Sequence, residues 1–115
     1  MILLIDDLRN FRVALAARPH IVARTSEAGL EALRDLDVEE KHIDELWLDH
    51  DLGGDDTIMP VVDYLSERAF NERPLSIGRI FVHTQNSVGA KQMLASLTRY
   101  GYNAVRVPAG DYLTA

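Results

Sequence analysis

The sequence predicts an α/β domain, a five-stranded parallel sheet doubly wound by helices. Three observations predict it. Short β-rich apolar runs alternate with helix-period segments along the whole chain. The first run, residues 2–6, is apolar without a break until its acidic end, as a parallel strand covered on both faces requires. Three of the runs then end in residues that carry chemistry. Asp6 and Asp7 follow Ile2 to Ile5. Asp49-His50-Asp51-Leu52-Gly53 follows Leu46 to Leu48. His83 and Thr84 follow Ile80 to Val82. Ligands of open α/β sheets bind outside the carboxyl ends of the strands. Charges near a core are costly unless paired or metal-bound. Four carboxylates, two imidazoles and a hydroxyl at three strand ends therefore mark a candidate active site.

After the first strand, residues 9–17 read as a short helix. Phe11, Ala14 and Leu15 stand at i, i+3 and i+4, and Arg18-Pro19 stops it. His20 to Arg24 is a more polar, edge-like strand. Ser26 is placed to cap the second helix, whose apolar stripe is Leu30, Leu33 and Leu36. The acidic stretch from Asp37 to Glu45 reads as a solvated connection, and residues 46–49 as the third strand. Gly53-Gly54-Asp55-Asp56 is a flexible turn or a mobile lid. Thr57 is placed to cap a helix to about Phe70, burying Val61, Val62, Leu65 and Ala69. Residues 79–83 form the fourth strand. Ser87 opens a helix that buries Met93, Leu94, Leu97 and Tyr100, and Gly101 ends it. Residues 103–107 are a fifth, edge-like strand stopped by Pro108, and Asp111 to Ala115 begin a last helix.

At 115 residues the chain is one domain. A net charge of −6 argues against duplex DNA or RNA and against anionic membranes, which need a basic face. It leaves room for a small phosphorylated ligand whose charge a bound cation offsets. With no cysteine there is no thiol nucleophile, thiolate metal site or disulfide, which fits a cytoplasmic protein. The apolar run Met1 to Ile5 is too short for a signal peptide or a membrane span.

The acidic pair ending the first strand, Asp49 ending the third and Thr84 ending the fourth resemble a receiver (CheY-like) domain over nearly the whole chain. The resemblance implies a three-layer flavodoxin-like fold with strand order 2-1-3-4-5. It also implies metal binding by Asp6 and Asp7, phosphorylation of Asp49 and a switch hydroxyl on Thr84. One departure is plain: the receiver Lys-Pro at the end of the fifth strand is Val107-Pro108, and the only lysines are Lys41 and Lys91. A narrower resemblance accounts for the extra histidines. Asp6-Asp7-x-Arg9, Asp49-His50-Asp51-Leu52-Gly53 and His83-Thr84-x-Asn86-x-x-Gly89-Ala90-x-x-Met93 look like the cyclic-phosphate-processing receiver-like domains. That subgroup implies action on cyclic phosphate ends of nucleotides or related metabolites.

Asp6, Asp7 and Asp49 suit a hard divalent cation such as Mg²⁺. So many acids together need a cation or a shared proton. Imidazole titrates near neutrality, so His50 and His83 can divide the labour that a cyclic phosphodiester needs: one activates water, the other protonates the departing alkoxide. Asp49 or Asp51 is placed to orient one imidazole. Strand residues alternate faces, so His50 points away from Asp49 and Asp51 unless the loop has already begun. For the phosphate, the helix start at Ser87 and Gly89 offers backbone amides, with Asn86 and Lys91 close in sequence. Arg9 either forks onto a phosphate or neutralises Asp6 or Asp7. His20 and His42 read as surface residues, and Trp47 and the Met93 stripe as core. Two other functions use the same residues: a signalling module phosphorylated on Asp49, and a protein that binds a cyclic nucleotide without turnover.

Overall fold

The computed structural model describes residues 1–114. Its sheet holds β1 Ile2–Ile5, β2 His20–Ala23, β3 Ile43–Leu48, β4 Ile77–Val82 and β5 Ala104–Arg106. All four pairings are parallel, in the order β2-β1-β3-β4-β5. Every residue of β1 is buried, which explains why that strand is apolar without alternation.

Register is what builds the site. Ile5 pairs with Leu48 and Leu48 with Val82, so β1, β3 and β4 end at one level. The ladder runs on by one rung: the Asp49 N–H bonds the Ile5 carbonyl at 3.1 Å, and the His83 N–H bonds the Leu48 carbonyl at 3.0 Å. The first residues beyond the three strands, Asp6, Asp49 and His83, therefore emerge side by side.

Helices α2 Ser26–Val38, α3 Met59–Phe70 and α4 Ser87–Arg99 cover one face of the sheet, sharing a core with Leu3, Ile5, Leu46, Leu48, Ile80 and Val82. The other face is thinner. The helix expected over 9–17 is a single turn, α1 Val13–Ala16, with no buried residue. Phe11 explains the loss. It is buried edge-on against Trp47 at 5.5 Å and bridges Leu113 in an extended conformation. A long-range slot thus overrides the local helical period. The residues beyond β5 make a 3₁₀ turn, Ala109–Asp111, and the strand-like contact with Phe11, where a helix start was expected. Ala115 lies outside the described residues.

Smaller boundaries also move. Ile43 is buried and β3 begins there, so the expected solvated connection shrinks to residues 39–42. Thr25, not Ser26, caps α2, its hydroxyl accepting from the Ala28 N–H at 3.0 Å. Ser26 instead bonds the Asp56 carboxylate. Gly53 and Gly54 take positive φ in a turn closed by the Leu52 and Asp56 N–H groups. Asn86, not Ser87, caps α4. Among the described residues no helix is long and apolar enough to cross a membrane.

Candidate active site

The period-2 alternation of a strand decides which side chains meet. Leu4, Trp47 and Phe81 belong to the thinly covered face of the sheet. Two residues further along each strand stand Asp6, Asp49 and His83, and these three converge. Each offers a donor atom within 4.8 Å of the others. By the same parity His50 follows Leu48, on the face that carries α4.

Asp6 is 1% exposed, and both of its oxygens are engaged. Oδ1 accepts from the Leu8 N–H at 2.9 Å and the Arg9 N–H at 2.8 Å. Oδ2 lies 2.9 Å from His83 Nε2. Burial works to raise the Asp6 pKa, but the bonds from His83, Arg9 and Leu8 outweigh it and hold the carboxyl below its usual range. An ionised carboxylate only accepts, so Nε2 carries the proton of this bond. His83 Nδ1 is then left buried with no hydrogen-bond partner among the described residues. Such an atom is costly in a finished core and calls for an explanation.

Asp49 has the opposite shift. Burial and then the charge of Asp6 raise its pKa, and His83 and the Thr84 hydroxyl offset only part of this. Two close carboxylates, one held ionised and one pushed toward neutrality, form a group that a cation would stabilise. Asp6, Asp49 and His83 could hold one. The carboxylates suit Mg²⁺, and the imidazole nitrogen also admits a borderline ion such as Mn²⁺ or Zn²⁺. Asp7, expected among the ligands, is outside this group. Its carboxylate overhangs the Gly53 turn, where an added Cβ would lie 3.2 Å from Oδ2.

A cleft of about 180 Å³ opens beside the group, lined by Arg9, Asp49, Asp51, His83, Thr84 and Asn86. His50 is not in its wall. Its ring packs over the first turn of α4, and Nδ1 meets Asp51 Oδ1 at 3.0 Å. Asn86 Nδ2 faces the other Asp51 oxygen at 3.4 Å. The bond from His50 is the first of the causes that hold the Asp51 carboxyl below its usual range. The two histidines, expected as one acid–base pair, therefore occupy separate places, and His50 reaches the cleft through Asp51. The α4 amides are less open than the sequence implied. Asn86 Oδ1 takes the Gly89 N–H at 2.9 Å, Gly89 is buried beneath His50, and Ser87 and Lys91 stand exposed outside the cleft wall.

Gly89 is fixed by this packing. A Cβ there would lie 2.5 Å from His50 Cδ2 and 2.6 Å from Cγ. Gly89→Ala is expected to expel the ring and lower stability by about 1–3 kcal/mol, as overpacking does. Thermal melts check this. Adding His50→Ala should remove most of that loss, because the two changes share one contact. An additive double variant would refute the packing.

Gln85, Arg12 and Arg106 border the site region without having been nominated from sequence. Isolated arginines carry no motif. For Arg106 the one signal is its place just before Val107-Pro108, where receivers carry Lys-Pro.

No curated protein and no solved structure matches the chain. The family model described as the cyclic-phosphate processing receiver domain matches residues 1–99, which take in every strand end that builds the cleft. The chain belongs to that family, the cyclic-phosphate processing receiver domains.

Proposed function

We propose that this domain hydrolyses a cyclic phosphodiester to a phosphate monoester, with a divalent cation assisting. The observation that carries the reading is the buried Asp6–His83 hydrogen bond, which leaves Nδ1 unpaired on a residue lining the cleft. Asp6 fixes the ring by accepting from Nε2. Nδ1 is then the nitrogen that can hold a proton and give it to the departing ring oxygen. Water attacks phosphorus, and one ring P–O bond breaks. Asp51 receives the water's proton, with His50 behind it at 3.0 Å to share the charge. Thr84, Asn86 and Arg9 supply donors around the cleft for the phosphoryl oxygens. Asp6 and Asp49 are the carboxylates that would hold the cation, which when bound supplies positive charge against the developing phosphoryl oxyanion.

The test is ³¹P NMR with nucleoside 2′,3′-cyclic phosphates and 3′,5′-cyclic nucleotides, with and without Mg²⁺ or Mn²⁺. The expected result is loss of one cyclic resonance and growth of a monoester signal. Shifts without turnover would replace hydrolysis by binding alone, and silence across the panel would overturn the reading. Phosphorylation of Asp49 has less support, because Val107 stands at the receiver lysine position and Lys41 and Lys91 are exposed outside the cleft wall.

A further inference from the structure

Beside the catalytic cleft lies a larger one of about 610 Å³, and the two share Arg9, His83 and Thr84 in their walls. Three arginines, Arg9, Arg12 and Arg106, line the larger cleft. In a chain of net charge −6 such cations are expected to be neutralised by neighbouring acids. Here, among the described residues, none of the three has a carboxylate within ion-pair distance; Arg24, Arg34, Arg73, Arg79 and Arg99 have none either, so what sets Arg9, Arg12 and Arg106 apart is that they line one cleft. Two of them are nevertheless held in place. Arg12 Nε donates to the Gly110 carbonyl at 3.0 Å, and Arg106 Nη2 donates to the Thr84 carbonyl at 3.0 Å. Each guanidinium has five N–H donors, so most of them remain available. Anchored cations that have already lost side-chain freedom bind an anion with less entropic penalty. The remaining wall is largely apolar, formed by Val107, Pro108, Ala109 and Leu113. Arg106 and this apolar wall lie beyond the 1–99 family match, whereas Arg9, Arg12, His83 and Thr84 lie within it.

We propose that the larger cleft holds a second phosphate of the ligand, joined to the cyclic phosphate through the ligand's own sugar, with Arg12 and Arg106 as its specificity-determining residues. This rests on the reading that the smaller cleft takes the cyclic phosphate. It narrows the substrate class from any cyclic phosphate to a nucleotide that also carries a 5′-phosphate. That phosphate can be terminal, on a mononucleotide, or internucleotide, at the 3′ end of an oligonucleotide.

Calorimetry with three probes tests the proposal: adenosine 2′,3′-cyclic phosphate, the same compound with a 5′-phosphate, and a dinucleotide ending in a 2′,3′-cyclic phosphate. The 5′-phosphate is expected to tighten binding about tenfold or more at low salt. The gain should shrink as ionic strength rises. Arg12→Gln, and independently Arg106→Gln, should remove the gain and leave the affinity for the unphosphorylated probe unchanged. Equal affinity of the parent for all three probes would overturn the proposal. So would a gain that survives both substitutions. A dinucleotide that binds as well as the 5′-phosphorylated mononucleotide, or better, supports it with an internucleotide phosphate as the source. A clearly weaker dinucleotide supports it with a terminal one. Turnover is read separately by ³¹P NMR. Hydrolysis without discrimination sinks this proposal alone, and discrimination without hydrolysis sinks the esterase reading alone.

Discussion

His83→Ala is expected to slow cyclic-phosphate turnover severely and to lower the melting temperature sharply. Losing a positioned proton carrier slows catalysis about 10²–10⁴-fold. The stability loss has a separate origin. Asp6 is 1% exposed, and removing His83 takes away the side-chain partner of its carboxylate. Stripping one member from a buried pair costs about 3–5 kcal/mol, a large share of the roughly 5–15 kcal/mol available to a domain. The loss should depend on pH. The Asp6 carboxyl is held below its usual range, so its stabilising contribution is present above the unfolded value near ~3.9 and fades as pH falls through the folded value. His83 supplies the largest of the effects that lower it. The gap between parent and variant should therefore be widest near neutrality and close in acid. His83→Gln separates the two roles. Its amide can still donate to Asp6 and should restore part of the melting temperature, but it cannot shuttle a proton. A His83→Gln protein with parental turnover would remove His83 from the chemistry.

The sheet was legible because β1 needs nothing but apolar residues. Buried on both faces, Ile2 to Ile5 admit no polar interruption, so the strand and its acidic end stand out in the sequence alone. Which side chains meet was legible only in part. Parity separates Asp6, Asp49 and His83 from Asp7 and His50 once each strand's core face is known. That knowledge comes from Trp47 and Phe81 packing against Phe11, Ala109 and Leu113. These contacts join residues as far apart in sequence as Phe11 and Leu113, and no local pattern encodes them. The same contacts dissolved the expected helix over 9–17. The period of Phe11, Ala14 and Leu15 was real, but burying one Phe ring outweighs a turn or two of exposed helix. Arg12 and Arg106 were invisible for a related reason: their significance is that they line one cleft, which only the fold reveals.

Asp49→Asn is expected to raise the melting temperature of the cation-free protein while reducing turnover by at least about 10²-fold. Burial and then the charge of Asp6 hold the Asp49 carboxyl above its usual range. For such a group the native state is favoured while the acid is protonated. That stabilisation is complete below the unfolded value near ~3.9 and is lost as pH rises through the folded value. Wherever Asp49 ionises it stands beside an ionised Asp6, and the neutral amide relieves that repulsion. A gain on the order of 1 kcal/mol corresponds to about 4 °C in a domain of this size. The amide oxygen can still accept from Thr84, so the gain should not be cancelled by an orphaned donor. Two controls sharpen the test. As pH falls and Asp49 becomes protonated in the parent, the two melting temperatures should converge. Added Mg²⁺ or Mn²⁺ should raise the parent's melting temperature by linkage and leave the variant's nearly unmoved. If Asp49→Asn melted lower than the parent at pH 7, the carboxylates would not be in conflict, and the electrostatic argument for a cation at this strand edge would fall with that result.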